Sequence, residues 1–216
     1  MKKKNLFAVL AVPGLILAWL PAAEAAVPPG GELNFTVMRE GDKIGTHRLE
    51  FEQAGDELKV EIETNVAVKM LGIAVYRFEH EGHEVWRDGR LVSLNSKTND
   101  DGKAHHLSVS RDAETLVVDG DGRQGPEDGA IIPASLWNDD LVKQSALLNT
   151  LDGSKMPVTV TIVGPETVEV DGKSLTATHY SVKGQLNREL WYDENGVLVQ
   201  VKFAGADGSE ISYVLR

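Results

Sequence analysis

Turn dipeptides recur along the chain at Gly41-Asp42, Gly55-Asp56, Asp88-Gly89, Asp100-Asp101-Gly102, Asp119-Gly120-Asp121-Gly122, Asp152-Gly153, Asp171-Gly172, Asn195-Gly196 and Asp207-Gly208. Gly, Asn and Asp tolerate the positive φ that tight hairpin turns demand. Between the turns, apolar and polar residues alternate. Leu58, Val60, Ile62, Val66 and Val68 share one face of an extended strand, while Lys59, Glu61, Glu63 and Lys69 share the other. Val197, Val199, Val201 and Phe203 alternate with Leu198, Gln200 and Lys202, and Ile211, Tyr213 and Leu215 repeat the pattern. A period of two with one polar face means a sheet packed on one side and wet on the other. The sequence therefore predicts an all-β chain, about twelve antiparallel strands in a meander. So many strands in one domain must curl or close, because open edges invite aggregation. The expected architecture is a strongly curved sheet or open barrel over residues 33–216.

One segment breaks the rhythm. Pro133-Ala134-Ser135-Leu136-Trp137-Asn138-Asp139-Asp140 leads into Leu141-Val142-Lys143-Gln144-Ser145-Ala146-Leu147-Leu148. Asn138 or Asp139 can cap a helix whose N-terminal dipole end favours the two acids. Leu141, Ser145 and Leu148 would share a face, so one short helix packed on the sheet is expected, with 133–150 as a lid over an open end. Gly120 to Gly129 reads as a polar, Gly-rich loop.

The N-terminus decides the expected compartment. Lys2, Lys3 and Lys4 precede an apolar stretch from Leu6 to Leu20, followed by Pro21-Ala22-Ala23-Glu24-Ala25-Ala26. Basic, apolar and small-residue regions in that order make a secretory signal peptide, with cleavage near Ala25. The apolar run is shorter than the roughly 20 residues needed to span a bilayer. Periplasmic localisation, with no transmembrane segment after cleavage, is the expectation. Residues 26–32, which include Val27-Pro28-Pro29-Gly30-Gly31, are expected to form a flexible N-terminus. The chain has no cysteine, so it forms no disulfide and takes no lipid on an N-terminal Cys.

The formal net charge is −11, and loss of the leader's three Lys and one Glu makes it two units more negative. A chain this acidic is repelled by nucleic acid and by anionic membranes, so no nucleic-acid partner is expected. The outward faces carry charges such as Lys59, Glu61 and Glu63 where lipid would demand apolar side chains, which argues against an integral outer-membrane barrel.

The stretch from 73 to 87 is the most unusual. Ala74, Tyr76, Phe78, His80, Gly82, Glu84 and Trp86 fall on one face, aromatic and inward, that nevertheless carries two ionisable groups. Such groups must find partners or shift their pKa. They are polar anchors in an apolar cavity, members of a satisfied His–Glu core contact, or residues turned outward by a bulge at Gly82. The candidate ligand-binding set is Tyr76, Phe78, His80, Glu84, Trp86 and Trp137, and the candidate partner an apolar or amphiphilic small molecule. In Leu190-Trp191-Tyr192, neighbouring rings point to opposite faces, so one of them is expected to be exposed.

No catalytic residue, metal site or cofactor emerges. His80 and His83 point to opposite faces of a strand, as do His105 and His106, and neither pair can chelate one ion without a bulge. His47, on the face of Leu49 and Phe51, could join His80 from another strand, and a metal site would need His47, His80 and His105 to converge. There is no Gly-x-Ser-x-Gly elbow, and the glycines at 120–129 are interleaved with acids that repel phosphate. A binding module is the leading reading. An envelope interaction or scaffold protein with a filled core is the alternative, and a metal-dependent or hydrolytic enzyme comes third.

The opening Phe35-Thr36-Val37-Met38-Arg39-Glu40-Gly41-Asp42-Lys43-Ile44-Gly45-Thr46-His47 resembles the first hairpin of a group of uncharacterised exported Gram-negative β-proteins known only as a domain of unknown function. The close, Leu190-Trp191-Tyr192-Asp193-Glu194-Asn195-Gly196-Val197-Leu198-Val199 and Asp207-Gly208-Ser209-Glu210-Ile211, is similar to the same group, as is the middle, with Trp137-Asn138 and Leu147-Leu148-Asn149-Thr150-Leu151-Asp152-Gly153. The resemblance implies a periplasmic all-β fold and assigns no catalytic residue. In shape such a fold is similar to half-barrel lipoprotein carriers with a helical lid, an analogy that implies nothing about function.

Overall fold

The computed structural model describes residues 27–216. The expected leader and its cleavage site lie outside the described residues. Among the described residues fourteen antiparallel strands form one sheet. The first eight are β1 (Glu32–Arg39), β2 (Asp42–Ala54), β3 (Glu57–Met70), β4 (Ile73–Arg87), β5 (Arg90–Asp100), β6 (Lys103–Asp112), β7 (Thr115–Gly120) and β8 (Arg123–Asp128). The remaining six are β9 (Ala146–Leu148), β10 (Lys155–Val170), β11 (Lys173–Gly184), β12 (Arg188–Tyr192), β13 (Leu198–Ala204) and β14 (Glu210–Leu215). Among the described residues no helix is long and apolar enough to cross a membrane.

Two strands lie where the sequence pattern predicts none. The expected loop 120–129 is half of a hairpin: Asp121-Gly122 is its turn and Arg123–Asp128 its second strand, paired to β7 from Thr115↔Asp128 to Gly120↔Arg123. Strand β8 sits at the sheet edge, where Pro126 costs no ladder bond and charged side chains discourage pairing with another chain. The second is β9, inside the expected helix. Residues 133–148 make only one 3-10 turn, Asp139–Lys143, capped by Asn138, whose side chain accepts from the Asp140 N–H at 3.0 Å. The cap is where the sequence places it. The helix stops because Ala146–Leu148 commit their backbone to β10, with Leu148 opposite Lys155.

The spatial order is β8-β7-β6-β5-β4-β3-β2-β1-β14-β13-β12-β11-β10-β9. Two meanders are thus fused where the first strand pairs with the last, Phe35 opposite Leu215 and Val37 opposite Tyr213. Among the described residues no ladder closes the sheet. Its edges instead approach each other through the loop after β9. The Gly122 N–H donates to the Asp152 carbonyl at 2.8 Å, the Ser96 hydroxyl donates to the Thr150 carbonyl at 2.5 Å, and Lys155 Nζ lies 3.0 Å from Glu127 Oε1. A side chain at Gly120 would bring its Cβ to 2.5 Å from the Asp152 carbonyl oxygen, so this approach requires glycine. Register shifts at Val37/Met38, Val68/Lys69, Val85/Trp86, Ile162/Gly164 and Trp191/Tyr192 supply the bending.

Cross-strand register sorts the inner face into tiers. One tier runs His47–Thr64–His80–Thr98–His105 across β2 to β6. On the side of the β2–β3 and β4–β5 turns the interior is solid. Phe51, Val60, Glu84, Leu94, Val109 and Val118 form one tier there, and Leu58, Trp86, Leu91 and Leu116 lie beyond it. The segment 131–148 fills the remaining space. Trp137 meets Trp86 and Phe51 edge to face at 5.5 and 5.4 Å, and Leu141, Leu147 and Leu148 are fully buried. Each such side chain contributes about 1.5–3 kcal/mol by leaving water. The expected lid over an open end is therefore a plug. Residues 27–31, expected to be flexible, form a turn: Gly31 N–H donates to the Pro28 carbonyl, Gly31 O accepts from Phe51 N–H, and Val27 packs on the core.

Candidate functional site

Beyond the histidine tier, at the end where β3 turns into β4, the inner face is not filled. A cavity of about 630 Å³ opens there between the two meanders. Its walls come from β1 to β5 and β12 to β14, with Val37, Val66, Phe78, Phe203, Ile211 and Tyr213 among the apolar residues that line it. These are the inward residues of strands that continue into the packed half. Inward alternation thus runs the length of each strand, but the plug reaches only part of it.

The polar groups in the wall are few and mostly satisfied. Arg39 pairs with Asp207, which also accepts from the Ser209 hydroxyl at 2.6 Å. Asp100 accepts the Tyr76 hydroxyl at 2.8 Å, and burial followed by that bond raises the Tyr76 pKa. Arg188 is different. Its guanidinium lies 3.8 Å over the Phe203 ring and donates to the Asn187 carbonyl at 2.8 Å. No carboxylate forms an ion pair with it among the described residues.

The histidine tier separates cavity from core. His47 Nδ1 lies 2.7 Å from Thr64 Oγ1, and His80 Nδ1 lies 2.7 Å from Thr98 Oγ1. Burial depresses both imidazoles, His47 to about 3, where the neighbouring His80 adds to the effect, and His80 to about 4. Both are neutral at physiological pH. No bulge forms at Gly82, which pairs in register with Ile62 and leaves room for the His80 ring, whose Nε2 is 3.2 Å from where a Cβ would stand. His47, His80 and His105 stand on alternate strands, about 9–10 Å apart at the backbone, too far for one ion. Among the described residues no three His, Asp or Glu come together as a metal site.

The six residues singled out from the sequence therefore do not form one site. Tyr76 and Phe78 line the cavity, and His80 lies one inward position below Phe78. Glu84, Trp86 and Trp137 belong to the solid half. Glu84 is 1% exposed, and its Oε2 accepts the indole N–H groups of Trp86 at 2.8 Å and Trp137 at 2.9 Å. Burial pushes its pKa up against these two bonds. A strand rises about 3.3 Å per residue, so Phe78 and Trp86 are roughly 26 Å apart on one face. Periodicity reports the face and not the depth, so it cannot separate them. Arg188, Phe203 and Tyr213 were missed as site residues because they come from the other meander. The one local signal was a charge at Arg188, two residues before the buried Leu190 on the same face.

Two surface features complete the description. At the cavity mouth the β3–β4 turn exposes Met70, Leu71, Ile73 and Val75, and Leu71 adopts a φ of 51°. On the outer face, Trp191 is not the exposed ring that its neighbours imply. It is 5% exposed, stacks on His179 at 4.2 Å and donates to Glu166 at 2.9 Å, covered by Val168, Ala177 and Val199.

In fold, the chain is similar to a crystal structure described as a β-barrel-like protein of domain of unknown function DUF1849 from Brucella abortus, with a TM-score of 0.59 and 11% identity over 86% of this chain and 94% of that one. No curated protein matches the sequence. Residues 35–216 match the model of the family described as domain of unknown function DUF6134, and the chain belongs to that family.

Proposed function

We propose that this protein is a non-catalytic periplasmic module that holds an apolar or amphiphilic ligand in the cavity between its two meanders. The observation that carries this reading is an unfilled, apolar-walled space of about 630 Å³ in a molecule whose other half is tightly packed. Ligand cavities fall in the range of about 300–1,000 Å³ and pair apolar walls with a few polar groups. Tyr76 and Phe78 supply part of the wall, with His80 beneath them as a neutral polar floor. Glu84, Trp86 and Trp137 support the site only by holding the opposite half rigid.

The test is uptake of a neutral apolar fluorophore such as N-phenyl-1-naphthylamine, followed by native mass spectrometry after exposure to an envelope lipid extract. Saturable fluorescence gain and a co-purifying lipid mass support the reading. A protein that never gains fluorescence and is always ligand-free removes it. Export rests on the order of basic, apolar and small residues from Lys2 to Ala26. A mature protein that starts near Ala26 in a periplasmic fraction supports it, and an uncut chain in the cytoplasm overturns it.

An envelope interaction protein is the second reading. The filled core half and the uncovered Met70, Leu71, Ile73 and Val75 favour it, because large apolar side chains left in water mark contact surfaces.

A further inference from the structure

We propose that the ligand is an anionic amphiphile whose acidic head group, a carboxylate or a phosphate, is held by Arg188, with its tail lying on Val37, Val66, Phe78 and Tyr213. This rests on the cavity reading above. The argument is one of unmatched charge. Four charged side chains reach the cavity wall: Arg39, Asp100, Arg188 and Asp207. Arg39 and Asp207 neutralise each other, and Asp100 is engaged by the Tyr76 hydroxyl. Arg188 is left over, half-buried, with one backbone carbonyl and one aromatic face as its partners.

A guanidinium in a protein keeps its charge and carries five donors. Desolvating it without an anion is costly. A cation–π contact with Phe203 offsets part of that cost and fixes the plane of the fork, leaving donors free for the planar, two-point recognition of carboxylate or phosphate. Its position fits a head group. Arg188 lies over Phe203, and register places Phe203 beside Ile211 and Ile211 beside Arg39 along one tier, level with Val68 and Tyr76 at the mouth. Tyr213, Val37, Val66 and Phe78 form the next tier inward. An amphiphile entering tail first would bring its charged end level with the arginine and its chain against the apolar tier.

The experiment displaces N-phenyl-1-naphthylamine from the full mature chain with dodecanoate, dodecyl phosphate, dodecanol and dodecyltrimethylammonium, alongside inorganic phosphate without a tail. Both anionic amphiphiles are expected to compete at concentrations at least tenfold below the alcohol. The cationic amphiphile should be weakest, and inorganic phosphate should displace nothing. In Arg188→Gln the ratio of dodecanoate to dodecanol affinity falls to about one, and Arg188→Lys recovers part of it. Equal competition by acid and alcohol in the unsubstituted protein overturns the proposal while leaving the cavity reading intact. An anionic preference that survives in Arg188→Gln also overturns it. Failure of the neutral fluorophore to bind at all removes both readings, so the two failures are distinguishable. If Arg188→Gln does not fold, the comparison of acid, alcohol and cation on the unsubstituted chain decides alone.

Discussion

Trp137 donates its indole N–H to Glu84 at 2.9 Å across 53 residues of chain, and Trp86 donates to the same carboxyl oxygen at 2.8 Å. This fork ties the plug segment to β4 at the centre of the solid half. Among the described residues Glu84 Oε1 has no hydrogen-bond partner, an arrangement suited to a protonated acid. Burial raises the Glu84 pKa, so the native state binds its proton more tightly than the unfolded chain does. The stability it confers is complete below the ordinary carboxylate value and is lost as pH rises through the raised one. Glu84→Gln keeps an acceptor for both indoles without the charge. Its urea midpoint should exceed that of the parent at pH 8, with the gap narrowing towards pH 4. A pH-independent gap, or a less stable variant at pH 8, contradicts this. Glu84→Leu leaves two buried donors unpaired and should cost about 1–3 kcal/mol for each.

The histidine tier predicts the acid limb. His47 and His80 have pKa values of about 3 and about 4 in the fold, against an ordinary value near 6.5. Depressed values mean that the unfolded chain takes up protons first. Stability is therefore present above about pH 6.5 and is lost as pH falls towards 4 and then 3. At pH 5 each histidine should cost about 2 kcal/mol relative to pH 7. Equilibrium urea unfolding at half-unit pH steps measures the slope. In the double variant His47→Asn, His80→Asn that slope should flatten, whatever the variant's absolute stability. An unchanged slope would place the acid sensitivity elsewhere.

Core and cavity aromatics should respond differently to truncation. Trp86 and Trp137 are 2% and 1% exposed, and replacing either by alanine should cost about 3–5 kcal/mol. Phe78 is half-buried at the cavity wall, so Phe78→Ala should cost clearly less in a thermal melt while weakening uptake of the neutral fluorophore about tenfold. If Phe78→Ala binds the fluorophore as well as the parent does, the cavity is not where the fluorophore sits.

Leu71 occupies a left-handed conformation, φ 51°, followed by Gly72 at φ 81°, and is fully exposed. Two positive φ values at a hairpin tip favour Asn-Gly, and a leucine there carries a steric cost. Leu71→Asn should stabilise the fold by about 0.5–1 kcal/mol in chemical denaturation. A destabilised Leu71→Asn would mean that the leucine makes a compensating contact.

The sequence by itself determined the class of this protein. Its turn dipeptides at Gly55-Asp56, Asp88-Gly89 or Asp171-Gly172 and the alternation along 58–68 leave no alternative to antiparallel hairpins, because turn conformation and a period of two are local properties of the chain. It also marked the helical cap at Asn138 and the inward face of β4. Tertiary structure alone decided depth and closure. Phe78 and Trp86 share one face and one pattern, yet the first borders open space and the second is sealed by Trp137. Which of the two it would be depended on how far the plug at 131–148, remote in sequence, could reach. The pairing of Val37 with Tyr213, which sets the two meanders face to face around the cavity and brings Arg188 to its wall, spans nearly the whole described chain. Long-range register of that kind has no signature in any local window, because it is fixed only when both faces have found their burial partners.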